Sequence, residues 1–367
     1  MRIITMSAAG LLLSGSLALA GGFELQALDT SAMYENGGFA SFSTAKLSSN
    51  LNGVGADKVK VKTLKDQNWN NFALKFPLGN LDLGISKYRS GAIQMSGGNN
   101  PAGSSAPKAD IELDTLAFLA KYNLDQNWSV MGGVTQTSLG TGNITTLKGS
   151  YDVKSQSQNN YVFGAAYSKP EIALRVEVLY QPGMKMKANG TYSASSAMAA
   201  VGIAAGATRD LNVTLKTPET VTLNFQTGIA KDTLLTASLH RAKWGSAQIL
   251  AEVDNIPLNA ANVSSAFTDT TKYSIGIGRK FSDVLSGSVS YSQEDGSGSR
   301  STSLFSMSNG SKAVSAGIKY SLDNIDIALG VSHTMFGDLK VKDPALPELT
   351  YSNNSATTMG IKISTRF

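Results

Sequence analysis

The stretch Ser355-Ala356-Thr357-Thr358-Met359-Gly360-Ile361-Lys362-Ile363-Ser364-Thr365-Arg366-Phe367 decides the fold. Met359, Ile361 and Ile363 alternate with Thr358, Gly360, Lys362 and Ser364, and the chain stops on an aromatic. Successive side chains of an extended segment point to opposite faces, so this is a strand with one apolar face and one polar face. Such a strand suits two architectures. It can be the edge of a soluble sandwich, or one stave of a closed barrel whose apolar face meets lipid.

The other end of the chain weighs on that choice. Met1-Arg2 is followed by an apolar run through Leu11, Leu12 and Leu13 that ends in Ala18-Leu19-Ala20. A basic start, a short greasy core and a small-residue cleavage site are the parts of a secretory signal over residues 1–20, with the mature chain beginning at Gly21. The run is short for a membrane span and Gly10 and Gly15 interrupt it. No later segment approaches the length of a spanning helix, the best being Ala197 to Ala207. In lipid only helices and closed sheets satisfy every backbone group, so an exported membrane protein of this sequence is a barrel. A mean hydropathy of -0.07 fits strands whose two faces cancel.

Composition narrows the chemistry. The chain has 36 Gly, 12 Tyr, 13 Phe and no Cys, as expected for many turns and aromatic-rich strands without disulfides. Thiolate and thiol redox chemistry are excluded. The net charge of +5 comes from Lys and Arg scattered singly rather than in a stripe, so no nucleic-acid partner is expected. His240 and His333 are the only histidines, too few for a clustered metal site and outside any nucleophile motif. Gly296-Ser297-Gly298 lacks the Lys-Ser/Thr of a phosphate cradle. The reading is therefore of a non-enzyme with no catalytic residues, metal or cofactor.

From Gly38 onward the chain divides into alternating segments of about ten residues, the length of a tilted membrane strand. They are Phe39–Leu47, Trp69–Phe76, Leu81–Tyr88, Ile111–Tyr122, Trp128–Leu139, Tyr161–Ser168 and Ile172–Tyr180 in the first half. Thr220–Ile229, Leu234–Trp244, Tyr273–Phe281, Leu285–Gln293, Ala313–Ser321, Ile325–His333 and Thr357–Phe367 follow. The expectation is an all-β, transmembrane antiparallel β-barrel of about fourteen strands. Six short turns rich in Pro, Gly, Asn and Asp alternate with seven longer loops, the layout of short periplasmic turns and long extracellular loops. Ile325, Ile327, Leu329 and Val331 are assigned to lipid and Asp326 to the lumen. The same parity sends Val314, Ile318 and Tyr320 out with Lys319 in, and Val176, Val178 and Tyr180 out with Arg175 and Glu177 in. Trp69, Trp128, Trp244, Tyr88, Tyr122, Tyr180, Tyr273, Phe281 and Tyr320 lie at segment ends, where interfacial girdles are expected.

The longest connection, Gln181 to Glu219, holds a small-residue apolar stretch with Met198, Val201 and Ile203. On an aqueous loop such a stretch is either a contact surface for a lipid or ligand or a self-packed cap over the barrel mouth.

Two resemblances follow from these residues. The last strand and its terminal Phe367 resemble the closing strand of bacterial outer-membrane barrels, in which that aromatic is read by the barrel assembly machinery. More specifically, the chain resembles the FadL family of long-chain fatty-acid transporters and aromatic-hydrocarbon channels. The residues carrying this are Gly22-Phe23-Glu24-Leu25-Gln26, the run Leu215-Lys216-Thr217-Pro218-Glu219, and Lys243-Trp244-Gly245-Ser246, with weaker similarity from Tyr273 to Phe367.

The resemblance implies a fourteen-stranded monomeric barrel in the outer membrane of a Gram-negative bacterium, in contact with its lipids. It further implies an N-terminal plug at residues 21–37, a barrel over 38–367, and passive uptake of fatty acids or similar apolar molecules with sideways exit beside a kinked strand. Gly84 and Gly91 are the kink candidates, since glycine permits bulges. The family's plug is longer and contains Asn-Pro-Ala; here that triplet occurs only at Asn100-Pro101-Ala102, in the loop after the third strand. Ligand-contact candidates are Met198, Val201 and Ile203 in the long loop, and Arg175, Lys319 and Lys362 on the inner wall. The three cations either meet a carboxylate or pair with Glu177 and Asp326 to stiffen the wall. A general diffusion porin and a surface interaction or adhesion barrel remain the alternatives.

Overall fold

A computed structural model describes residues 23–55, 58–97, 106–342 and 348–367. The signal segment and the Asn100-Pro101-Ala102 triplet lie outside these residues. The alternating segments become fourteen antiparallel strands: β1 Phe39–Asn50, β2 Gln67–Leu78, β3 Leu81–Ser96, β4 Lys108–Asn123, β5 Trp128–Leu139, β6 Gln156–Lys169 and β7 Leu174–Gln181. The second half comprises β8 Glu219–Ala230, β9 Thr233–Lys243, β10 Thr270–Lys280, β11 Leu285–Glu294, β12 Ser311–Leu322, β13 Ile325–Phe336 and β14 Ser355–Arg366. Each pairs with the next, and β14 returns to β1 over twelve residue pairs from Phe39↔Arg366 to Asn50↔Ser355. Beyond that ladder the Gly38 N–H donates to the Phe367 carbonyl at 2.8 Å and the Phe367 N–H donates back to Gly38 at 3.1 Å. The sheet is closed, and the all-β antiparallel barrel of fourteen strands expected from the sequence is the one observed.

Side chains alternate across the wall as the period requires. Val314, Ile318, Tyr320, Ile325, Leu329, Val331, Met359 and Ile363 are exposed on the outside, while Asp326, Ala328, Ser332 and Thr358 are buried inside. Two expectations need correction. Ile172 belongs to a 3-10 turn, Pro170–Ile172, because Pro170 starts that turn and Ala173 takes a left-handed φ of 53° before β7 begins. Of the nine proposed girdle aromatics, Trp128, Tyr122, Tyr180, Tyr273, Phe281 and Tyr320 stand on the outer wall, but Trp69, Tyr88 and Trp244 are buried. Trp69 and Tyr88 sit on the inward parity of β2 and β3, and Trp244 lies past the end of β9, where parity no longer points it at lipid.

The long connections carry structure of their own. Strands Gly142–Thr146, Gly149–Val153, Lys185–Ala194, Thr208–Lys216 and Ile249–Val253 extend the wall on the side of the long loops as hairpins. A separate five-stranded sheet joins Arg300–Ser301, Leu339–Val341, Leu349–Tyr351, Asn52–Val54 and Lys60–Lys62. Their inner faces meet in one large apolar cluster that caps the barrel. The stretch 181–219, read as a loop, is largely such a hairpin.

Candidate functional site

The wall is incomplete at one seam. β2 pairs with β1 up to Gln67, but with β3 only from Leu78↔Leu81 to Phe72↔Lys87. Above that level β3 continues to Ser96 along β4, with a bulge between Arg89 and Gly91. A bulge inserts one residue, bends the strand and increases its twist, so upper β3 leaves β2 behind. The edge freed in this way is taken by the N-terminal segment: Glu24 pairs with Ala92, Leu25 pairs with Gly91, and the Gln26 N–H donates to the Ser90 carbonyl at 3.0 Å. Higher still the seam closes again, the Ser96 N–H donating to Thr63 and the Lys65 N–H to Gln94. The result is a bounded window between β2 and β3.

A buried latch fills the window. The Arg89 guanidinium stacks 4.8 Å from the Trp69 ring and donates from Nη2 to Glu24 Oε1 at 2.6 Å. Arg89 and Glu24 are each 1 % exposed, which makes this a fully desolvated ion pair joining the N-terminal segment to the bulge. Inside the window a cavity of about 70 Å³ is lined by Gln26, Trp69, Asn71, Ser86, Tyr88 and Lys362, among others.

The N-terminal segment is fixed along its length. Phe23 packs against Trp244 and Phe267 in the cap, with ring centroids 5.2 and 6.2 Å away. Leu28 and Met33 join Tyr88, Leu119, Met131, Val162 and Leu179 on the β3–β7 side of the lumen. Thr30 Oγ1 and Tyr34 OH donate to the Glu177 carboxylate at 2.8 and 2.7 Å, and Arg175 lies 4.2 Å over the Tyr34 ring. Arg366 donates to Glu35 Oε2 at 2.9 Å and to Asp326 Oδ2 at 3.0 Å, tying the segment's far end to β14 and β13. On the opposite side, a polar chamber of about 250 Å³ separates residues 25–31 from β7–β12, with hydroxyl pairs such as Ser238–Ser274 on its wall.

The residues singled out from the sequence take these positions. Gly84 and Gly91 are where β3 receives the segment: an added Cβ would stand 2.3 Å from the Met33 sulfur at the first and 2.2 Å from the Phe23 ring at the second. Gly91 borders the bulge, whereas Gly84 lies in unbroken ladder. Met198 and Ile203 are buried in the cap and Val201 packs against it, within the 3-10 turn Ser196–Val201 and just past it. Lys319 approaches Asp326 at 3.6 Å. Lys362 faces the window cavity, and among the described residues no carboxylate lies within ion-pair distance of it. Sequence reading did not single out Arg89, assigned Trp69 to an interfacial girdle, and used Glu24 only as part of the family-like start of the mature chain. The available hint was Tyr88-Arg89-Ser90-Gly91, where a charge and a glycine interrupt the alternation begun at Leu83 and Ile85.

No protein-family model and no curated protein sequence matches the chain. Comparison with solved structures does find likeness. A Pseudomonas aeruginosa FadL homologue superposes with a TM-score of 0.78 at 12 % identity, over 99 % of this chain and 98 % of that one. The Pseudomonas putida toluene transporter TodX gives 0.65 at 12 % identity over 92 % and 91 %, and the Ralstonia pickettii toluene transporter TbuX gives 0.62 at 13 % over 92 % and 94 %. Identity at this level speaks to architecture, and the architecture agrees along nearly the whole length. The chain has the fold of the FadL-type outer-membrane transporters.

Proposed function

We propose that this barrel carries hydrophobic small molecules passively across a Gram-negative outer membrane, from the extracellular cap into the lumen and out sideways through the window. The observation that carries this reading is the transfer of upper β3 from β2 to the N-terminal segment. A sideways opening releases cargo into the bilayer, where apolar surface escapes water with a gain of about 25 cal/mol per Å². An axial opening would release the same cargo into water. The cap, with Met198, Val201 and Ile203, is the first apolar surface met, and displacement of the Arg89–Glu24 latch clears the window.

Long-chain fatty acids are the expected cargo, with aromatic hydrocarbons, the cargo of the toluene transporters sharing the fold, as the other class. Lys362, with no carboxylate in ion-pair distance among the described residues, is the inner-wall cation proposed to meet a carboxylate. Lys319 and Arg175 brace the wall and the segment through Asp326 and Tyr34. The protein acts as a monomer after removal of residues 1–20 and assembly by the barrel machinery.

Deletion of Ser90 tests the route. Removing the extra residue restores the register between β3 and its neighbours, so uptake of labelled oleate and toluene by intact cells should be lost while the folded barrel persists on unheated gels. Undiminished uptake in the deletion variant would falsify lateral exit. The hydroxyl-lined chamber favours a second reading, diffusion of small polar solutes along the axis; swelling of protein-loaded liposomes in sugars, insensitive to the deletion, would support it.

A further inference from the structure

The five-stranded extracellular sheet has two unlike faces. Leu339, Val341, Leu349 and Tyr351 are buried against the cap. On the opposite face the registers Arg300↔Lys340, Lys340↔Thr350, Thr350↔Val54 and Val54↔Lys60 align one row across all five strands. Arg300, Lys340 and Lys60 are exposed, and among the described residues none has a carboxylate within ion-pair distance. Like charges directly opposite each other on neighbouring strands are destabilising. Lysine on an edge strand commonly guards against unwanted pairing, which accounts for Lys60. It does not account for Lys340, which lies on an interior strand beside Arg300. The row therefore offers an anion three exposed cations that no described carboxylate pairs with.

What lies below the row indicates which anion. Asn52–Val54 continues from β1, Leu339–Val341 follows β13 and Leu349–Tyr351 precedes β14, so the sheet continues beyond the loop-side ends of these same strands. Their outer wall, together with β12, holds a shallow, open apolar groove lined by Ile318, Leu329, Val331, Met359 and Ile361. Lys46 is on its extracellular rim, close to Asn68. Apolar concavity, rim cation and basic row thus follow one another from the membrane outward along a single set of strands.

We infer that this column docks a phosphorylated, multiply acylated lipid of the outer leaflet, with acyl chain in the groove and phosphates against Lys46 and the Arg300–Lys340–Lys60 row. Charge complementarity and the apolar groove select this occupant together: a free phosphate would not use the groove, and an uncharged lipid would not use the row. The groove shares Ala45 of β1 with the window cavity, but the proposal does not depend on what the barrel transports.

The test uses the full mature barrel in detergent, titrated with diphosphoryl lipid A and with the same lipid after dephosphorylation, and read by native mass spectrometry. The diphosphoryl lipid should be retained about tenfold more tightly or better, from basic residues worth about 1 kcal/mol each near a charged surface. The R300E/K340E/K60E variant alters exposed side chains only and should keep the slow-melting folded band while losing that preference. Met359→Trp, which fills the groove, should weaken retention of both lipids. Equal retention of the two lipids, an unchanged preference in the triple variant, or no effect of Met359→Trp overturns the proposal.

Discussion

Two seams of the same barrel behave in opposite ways. Between β14 and β1, where the ends of the wall meet, twelve residue pairs run without interruption and the terminal Phe367 adds a further reciprocal pair with Gly38. Between β2 and β3, joined by a two-residue turn at Gly79-Asn80, only seven pairs form before the strands part. Nearness in sequence therefore does not decide which seam holds. A ladder continues as long as register and twist agree; one inserted residue at Ser90 ends that agreement, and the exposed edge must find another partner because unpaired backbone groups are costly. The N-terminal segment supplies it.

The largest effect expected from breaking this comparison lies in the borrowed pairing. Arg89→Ala leaves Glu24 buried without its partner and should cost about 3–5 kcal/mol. The readout is a lower temperature for loss of the folded band, with protease cleavage of the freed N-terminal segment. If neither changes, the segment is not what secures the open seam. On the intact side, Leu329→Arg puts a charge on the lipid face and should destabilise by about 2–4 kcal/mol if that position lies near mid-bilayer, measured by denaturant titration in vesicles. A cost near zero would place Leu329 at the interface.

Gly91→Val is expected to cost about 1–3 kcal/mol, because the added atoms meet the buried Phe23 ring and the Glu24 carbonyl and force the segment to shift. Its signature is loss of the Phe23–Trp244 contact, followed by tryptophan fluorescence, with the β14–β1 seam unaffected. The smallest effect concerns the loop that closes the window from above. Lys62 hydrogen-bonds Asp66 at 2.8 Å and holds its carboxyl below the usual aspartate range. A lowered folded-state pKa stabilises at higher pH, so the contribution is present above about pH 4 and lost as pH falls below it. With both side chains about half exposed it amounts to about 0–1 kcal/mol. Asp66→Asn should abolish this pH dependence in the exchange protection of the Ser49 amide, which donates to Asp66.

The barrel was legible because its signal is repeated and local. Ile325 to Val331, Val314 to Tyr320 and Met359 to Ile363 each show the period of two, and lipid on one side leaves few other ways to satisfy it. The cap was less so. In Lys185–Ala194 the buried parity is Met186, Ala188, Gly190, Tyr192 and Ala194, too small and mixed to stand out from loop polarity. The resemblance implied a kinked strand, but the pairing that makes the window could not be read from the residues, because whether β3 pairs with β2 or with residues 24–25 is a competition between distant segments. Gly84 and Gly91 drew notice as kink residues; what the fold asks of both is room, for Met33 and for Phe23.

The reciprocal bonds between Gly38 and Phe367 also bear on the order of assembly. They join residues separated by nearly the full described length of the chain, and contacts of such high sequence separation form late and slowly. The Arg89–Glu24 latch closes a loop of only 65 residues and can form while the larger loop is still open. Until β14 pairs with it, β1 is an exposed sheet edge. Fidelity of folding then depends on keeping β1 unpaired until the final strand arrives, a kinetic demand that falls on the closed seam rather than the open one.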